Sequence, residues 1–223
     1  MADVAPILFE DESLLVVDKP AGIAVIPGRG EEPGDALRGR LEAARGAGLF
    51  VVHRLDRDTS GVLLFAKTAA AHRAYSMAFE ARRMEKAYEA LVAGAPPAAA
   101  GVCEIPLVPG RKGRVNPAPP GRADAWPCRT AYEVLRRPSP RLTVVRFRPA
   151  TGRQHQLRVH AAALGAPILG DPLYAFGDAR SAAPRLMLHA SELAAPAIEG
   201  RPARLFRSSP PALFAEIEAS LSS

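Results

Sequence analysis

The sequence predicts a mixed α+β chain, and three observations predict it. Short β-branched and apolar runs of strand length recur from one end to the other. Stretches with helical spacing lie between them. The boundaries are marked by Gly, Pro and Asp, residues that turn a chain. The 223 residues are 48% hydrophobic and 23% charged, enough for one large core. The expectation is a single domain over 1–223, divided if at all into two lobes.

Taken in order, Ile7 to Phe9 and Leu14 to Val17 read as two short strands separated by Glu10, Asp11 and Glu12. Asp18-Lys19-Pro20-Ala21-Gly22 breaks the second. Gly34 to Arg45, with Leu37 and Leu41 four apart, reads as a short amphipathic helix. Val52 to Thr68, VHRLDRDTSGVLLFAKT, joins a charged cluster, a Thr-Ser-Gly turn and an apolar run. Val62 to Ala66 has the continuous apolarity of a strand buried on both faces. If the lead-in is extended, Arg54 and Asp56 share a face beside the turn.

Ala69 to Arg83 reads as a helix with Ala71, Ala74, Tyr75, Ala78 and Phe79 on its apolar side. Lys86 to Val92 alternates as a half-buried strand with Tyr88, Ala90 and Val92 on one side. Pro106 to Pro127 is dense in Pro and Gly and carries Arg111, Lys112, Arg114 and Arg122, which reads as a long basic loop able to grip a polyanion. Thr130 to Leu135 and Leu142 to Phe147 read as an antiparallel pair around Arg136 to Pro140. In Ala150 to Tyr174, ATGRQHQLRVHAAALGAPILGDPLY, Thr151 and Gln154 have capping-box spacing, so a helix is expected to start there and to end at Gly165. Arg185 to Leu193 reads as a closing strand and Leu213 to Leu221 as a last short helix.

Composition narrows the function classes. The formal net charge is +6 and the sequence pI about 9.8. A basic surface attracts polyanions, nucleic acid first. The excess is almost all arginine, which suits bidentate phosphate contacts and stacking on bases; G/C-rich codons explain it equally well, since alanine is abundant too. No apolar run approaches the roughly 20 residues of a membrane span, and with acidic residues near the N-terminus no export signal is expected. Cys103 and Cys128 form no ligand cluster or disulfide framework and read as buried filler in a reducing compartment, the cytoplasm. Neither His155 nor His160 has carboxylate or Cys partners at metal-ligand spacing, so no metal is expected. There is also no glycine-rich phosphate loop.

The string HRLDRDTSG followed by an apolar run and Lys67 resembles the signature of the RluA-type RNA pseudouridine synthases. DKPAGIAVIPG, KAYEALVAG and TGRQHQLRVHAAALGAPILGDPLY resemble further motifs of that family, so the likeness covers nearly the whole chain. It implies the pseudouridine synthase fold: a mixed, largely antiparallel central sheet with peripheral helices and a basic central cleft. It implies that Asp56 is the catalytic carboxylate and that Arg54 enters the RNA stack as the target base leaves. It further implies that Tyr88 packs on the flipped base and that Arg158 pairs with Asp56. Arg153 and His155 are expected to hold their loop. One departure stands out. The family's Gly-Lys-x-Ala-x-Thr run reads ADAWPCRT here and keeps only Thr130. The small N-terminal RNA-binding domain of many relatives is expected to be absent.

The implied reaction isomerises a uridine in rRNA or tRNA by breaking N1–C1′, turning the base and joining C5 to C1′. No cofactor is required for that. A uracil anion spreads its charge over two carbonyls and leaves without strong acid help, so one carboxylate suffices where glycosidases need two. Water must be kept out, which calls for apolar walls. Asp56 has three routes open to it: attack on C1′, removal of a C2′ proton to give a glycal, or addition to C6. Two rivals share the basic charge: a non-catalytic RNA-binding or ribosome-assembly factor, and a base-removing hydrolase. The expected partner is an RNA stem-loop, with no membrane, and the protein is expected to be a monomer.

Overall fold

A computed structural model describes residues 4–28 and 30–222, so the first residues of the N-terminus discussed above and Arg29 lie outside it, as does the side chain of Lys112. The chain is α+β and divides into two compact units, Met1–Lys86 with Ala190–Ser209, and Ala87–His189 with Pro210–Ser223.

In the first unit, β1 (Ile7–Glu10), β2 (Leu14–Lys19), β3 (Phe50–Val51) and β4 (Ser60–Ala66) pair antiparallel, β2 and β3 both lying against β4. α1 (Leu37–Arg45) and α2 (Ala69–Glu80) are its helices. Every residue of β4 is buried, as expected of an apolar run with no polar alternation. Val62, Leu64 and Ala66 pack with Leu14 and Val16 on the apolar side of α2, formed by Ala71, Ala74, Tyr75 and Ala78. α2 starts where Thr68 Oγ1 accepts the Ala71 amide at 3.2 Å. α1 begins at Leu37 rather than Gly34, after a 3₁₀ turn at Pro33–Asp35.

The second unit takes up the chain within β5 (Glu85–Ala93). Its strands include β6 (Ala100–Cys103), β7 (Leu107–Pro109), β8 (Val115–Pro117), β9 (Thr130–Ser139) and β10 (Leu142–Pro149). Its sheet runs β5-β10-β9-β6, every pair antiparallel. α3 (Gln156–Ala163) contributes Leu157 and Ala161 to the core, and α4 (Ala212–Ser222) contributes Phe214. β11 (Leu188–Ala195) carries the chain back to the first unit, where β12 (Arg204–Arg207) pairs with it.

Three expectations need correction. The basic stretch Pro106 to Pro127 is not structureless: β7 and β8 form a hairpin around Arg111–Gly113. Its Leu107 and Val115 bury against Cys128 and Val159, with Trp126 and Tyr174 at the edge. Thr151 does not cap a helix. Its hydroxyl donates to Gln156 Oε1 at 2.8 Å, Gln156 Oε1 also accepts the Arg153 amide at 3.1 Å, and α3 starts five residues later than Thr151. The lead-in to the charged cluster is a strand only at Phe50–Val51, and Arg54 and Asp56 sit in irregular backbone beyond it.

The second residue of β4 is a position that only glycine fits. Gly61 has φ +115°, and a Cβ there would stand 2.2 Å from the Ala190 carbonyl oxygen. Replacement by alanine adds backbone strain to that clash. Gly61→Ala is expected to destabilise the protein by roughly 2–4 kcal/mol. Urea unfolding reads this directly, and an unchanged midpoint would show that β11 does not approach so closely.

Candidate active site

The loop of Asp56 is fixed by a residue outside it. Lys19 ends β2, opposite Gly61 in the β2–β4 register, and is fully buried. Its Nζ donates to the carbonyls of Pro20 at 2.8 Å, Ile23 at 2.7 Å and Arg57 at 2.8 Å. The Arg57 carbonyl also accepts the Gly22 amide at 2.9 Å, and the Asp56 carbonyl accepts the Thr59 amide at 3.2 Å. The Lys-Pro-Ala-Gly turn and the charged loop are thereby joined through one ammonium. In this loop Leu55 is buried, Asp56 half-buried, and Arg54 and Arg57 exposed. Thr59 and Ser60 are buried at 2% each, so the chain dives into the core directly after the loop.

His53, the first residue of HRLDRD, is a strut. Its Nε2 accepts the Leu64 amide at 3.1 Å, and its ring stacks on Phe79 with centroids 4.6 Å apart. Part of the residue reaches the surface, but the ring is dry enough that burial, with the charge of Lys86, pushes its pKa down to about 3. It is therefore neutral, with its proton on Nδ1, and not an acid or base at physiological pH.

Tyr88 is half-buried on β5, opposite Phe147 of β10, and Phe147 is opposite Tyr132 of β9. Directly opposed residues project to the same side of a sheet, so the three rings form a row. Glu89, Arg146 and Glu133 form the row on the other side, Arg146 donating to both carboxylates at 3.1 Å.

Arg158 on α3 is 3% exposed. Its Nε donates to Asp171 Oδ2 at 2.8 Å and its Nη2 to Asp171 Oδ1 at 2.7 Å, a parallel fork. Asp171 is fully buried. Burial raises its pKa, but Arg158 and the amides of Leu173 and Tyr174, at 2.8 and 3.1 Å, outweigh that and hold the carboxyl below its ordinary range. The Tyr174 ring lies 5.1 Å from Arg158 Cζ. The Tyr174 hydroxyl accepts the Val115 amide at 2.8 Å and meets His155 Nδ1 at 2.8 Å. His155, with φ +54°, thus holds its loop as expected, and β8 is tied to the same tyrosine. Gly170 permits the turn; a Cβ on it would lie 1.9 Å from the Arg185 carbonyl oxygen.

His160 is structural as well. Nε2 donates to the Ile105 carbonyl at 3.0 Å, and Nδ1 accepts from Thr130 Oγ1 at 2.9 Å. Burial lowers its pKa. Gln156 Nε2 completes this network on Thr130 Oγ1 at 2.9 Å. That accounts for Thr130 being the residue retained from the departed run. Lys19, Asp171 and Tyr174 were assigned no role by sequence reasoning. Lys19 had a signal in the Lys-Pro-x-Gly turn and Asp171 one in the Gly-Asp pair, but neither string says what the side chain bonds. Among the described residues, no three of His, Cys, Asp and Glu gather to hold a metal ion, and no helix is long and apolar enough to cross a membrane.

A model of the RNA pseudouridylate synthase family matches residues 13–163. The dual-specificity RNA pseudouridine synthase RluA of Escherichia coli K12 is 42% identical over 190 residues, 84% of each chain. The RluA of Vibrio vulnificus CMCP6 is 41% identical over 194 residues, 84% of this chain and 76% of that one. Among solved structures, human RNA pseudouridylate synthase domain containing 4 superposes with a TM-score of 0.78 at 29% identity, covering 97% of this chain and 92% of that one. Human RNA pseudouridylate synthase domain containing 1 gives 0.75 at 26%, covering 98% and 97%.

Two outcomes follow from this geometry. Lys19→Met keeps the length but takes the side-chain donor from the Pro20 and Ile23 carbonyls and one of two donors from the Arg57 carbonyl, and is expected to cost roughly 2–4 kcal/mol of stability, read by chemical denaturation; a loss under ~1 kcal/mol would discount the cage. His53 has a folded pKa below its unfolded value, so the unfolded chain takes up the proton first. Its contribution is therefore whole above about pH 6.5 and declines as pH falls toward 3. Between pH 7 and 5 this amounts to about 2 kcal/mol. The decline should shrink in His53→Gln, and the wild-type imidazole NMR shifts should stay constant from pH 8 to 5; an imidazole titrating near 6.5 would contradict it.

Proposed function

The chain belongs to the RNA pseudouridylate synthase family, and we propose that Asp56 is its catalytic carboxylate, with Arg54, Tyr88 and Arg158 as the side chains that meet the target uridine. The activity is that of an RNA pseudouridine synthase: uridine in RNA is isomerised to pseudouridine. The observation that carries the assignment of Asp56 is its place in HRLDRDTSG, inside the matched region, on a loop pinned by Lys19 through the neighbouring Arg57 carbonyl.

Chemically, the N1–C1′ bond breaks, the uracil rotates, and C5 bonds to C1′. The C5 proton is lost and N1 gains one, so the product is an isomer. A carboxylate at C1′, C2′ or C6 is what each route requires. A stacked uridine must be swung out of the RNA before a carboxylate can reach it. Arg54 is exposed two residues from Asp56 and is long enough to occupy the vacated space. Tyr88, backed by Phe147, offers a ring on which the uracil stacks, a contact worth roughly 1–3 kcal/mol. Arg158 pairs with Asp56 in this proposal and fixes the orientation of its carboxylate through charge-assisted hydrogen bonds. The proposed target is a uridine in a stem-loop of rRNA or tRNA; the bacterial relatives are named dual-specificity RNA pseudouridine synthases. The protein acts as a cytoplasmic monomer without cofactor or metal.

The test is tritium release from RNA labelled at C5 of uridine. Asp56→Asn should abolish it while RNA affinity stays within roughly threefold. Turnover by that variant at the parent rate rejects Asp56, and free uracil in the products would point to base removal. Tyr88→Phe should be mild and Tyr88→Leu severe in the same assay; equal, small effects would remove Tyr88 from the pocket.

A further inference from the structure

We propose that Asp171 is a positioning residue for the reaction, fixing the plane and charge of the Arg158 guanidinium through their buried fork. This rests on the reading above that Arg158 works on the target nucleotide with Asp56.

Arginine is a long side chain with about 2 kcal/mol of rotamer entropy, and a catalytic contact made by one must be ordered beforehand. At Arg158 the ordering is supplied from two directions, one of them itself fixed. Asp171 takes Nε and Nη2, which sets the guanidinium plane. The Tyr174 ring lies against Cζ. Asp171 is itself locked, because Oδ1 accepts the amides of Leu173 and Tyr174. Arg158 and the two amides hold its carboxyl below the ordinary range, which favours the ionised form that makes the fork.

Geometry then assigns a division of labour. The Nε/Nη2 edge of the guanidinium is held by Asp171, which fixes where its other side lies. A carboxylate in the fork also neutralises Arg158, so a second carboxylate near that side meets a weaker field than a lone arginine would give. The turn serves recognition too: Tyr174 carries the Val115 amide of β8 on its hydroxyl, so the basic hairpin is referenced to the residue that flanks Arg158.

The experiment measures single-turnover tritium release at saturating enzyme, RNA affinity and thermal unfolding for Asp171→Asn, Arg158→Lys and the double variant. Loss of the fork displaces Arg158 by a fraction of a side-chain length, for which a rate loss of about 100-fold is expected, with RNA affinity kept within threefold. Lysine cannot make the fork, so Asp171→Asn should cost little more in the Arg158→Lys background. A purely structural Asp171 would lower the rate by the same factor in both backgrounds and would lower the melting temperature in step. Asp171→Asn that is folded and turns over within threefold of the parent overturns the proposal, as does full additivity. If Asp171→Asn is unfolded at the assay temperature, Asp171→Glu replaces it: a folded, slow enzyme supports positioning, whereas parent-like turnover or a second unfolded protein overturns it. Asp56→Asn is run alongside. If it is active, the parent reading fails; if it is inactive while Asp171→Asn is parent-like, only the positioning role fails.

Discussion

A guanidinium and a carboxylate with 3% and 1% of their side chains exposed face each other in the second unit. Burying two charges costs several kcal/mol each unless geometry and further hydrogen bonds repay it. Here both conditions hold, since the fork is parallel and the carboxylate has two backbone amides besides. The helix α3, the turn after Gly170 and the hairpin β7–β8 all meet through this pair or the tyrosine beside it. Replacing it by apolar side chains would not lower stability by necessity. Its retention is more readily understood through what a fixed guanidinium does than through what it stabilises.

The first unit solves a comparable problem differently. Lys19 satisfies an ammonium with carbonyl oxygens of two turns far apart in sequence. Around both centres the motif histidines are neutral braces. His53 and His160 each carry one proton, placed on Nδ1 of His53 by the Leu64 amide that Nε2 accepts and on Nε2 of His160 by the Ile105 carbonyl. Their conspicuous place in the motifs comes from shape and hydrogen bonding, not from proton transfer.

Much of this was legible in the sequence. β4 was readable because a run buried on both faces has no polar alternation, and α2 because Ala71, Ala74, Tyr75 and Ala78 keep helical spacing. The hairpin β7–β8 was not, because its prolines and glycines look like a connector and its core partners Trp126, Cys128, Val159 and Tyr174 come from elsewhere. The start of α3 was misplaced because Thr151 and Gln154 have the right spacing, while the Gln156 side chain claims Thr151 instead. Asp56 could be singled out by its string. Asp171 could not: its fork with Arg158 joins a helix to a turn 13 residues on, and local patterning carries no record of that meeting.

The first unit is assembled from two separated stretches of chain, Met1–Lys86 and Ala190–Ser209. Gly61, at the exit of the charged loop, is shaped to receive the backbone of Ala190. During synthesis the ribosome releases the loop long before it makes that partner. The segment carrying Asp56 must therefore wait, incompletely packed, while about a hundred residues of the second unit emerge at roughly 5–20 residues per second. A nascent chain is thus kept from adopting its finished loop until the second unit has been made and Ala190 follows it.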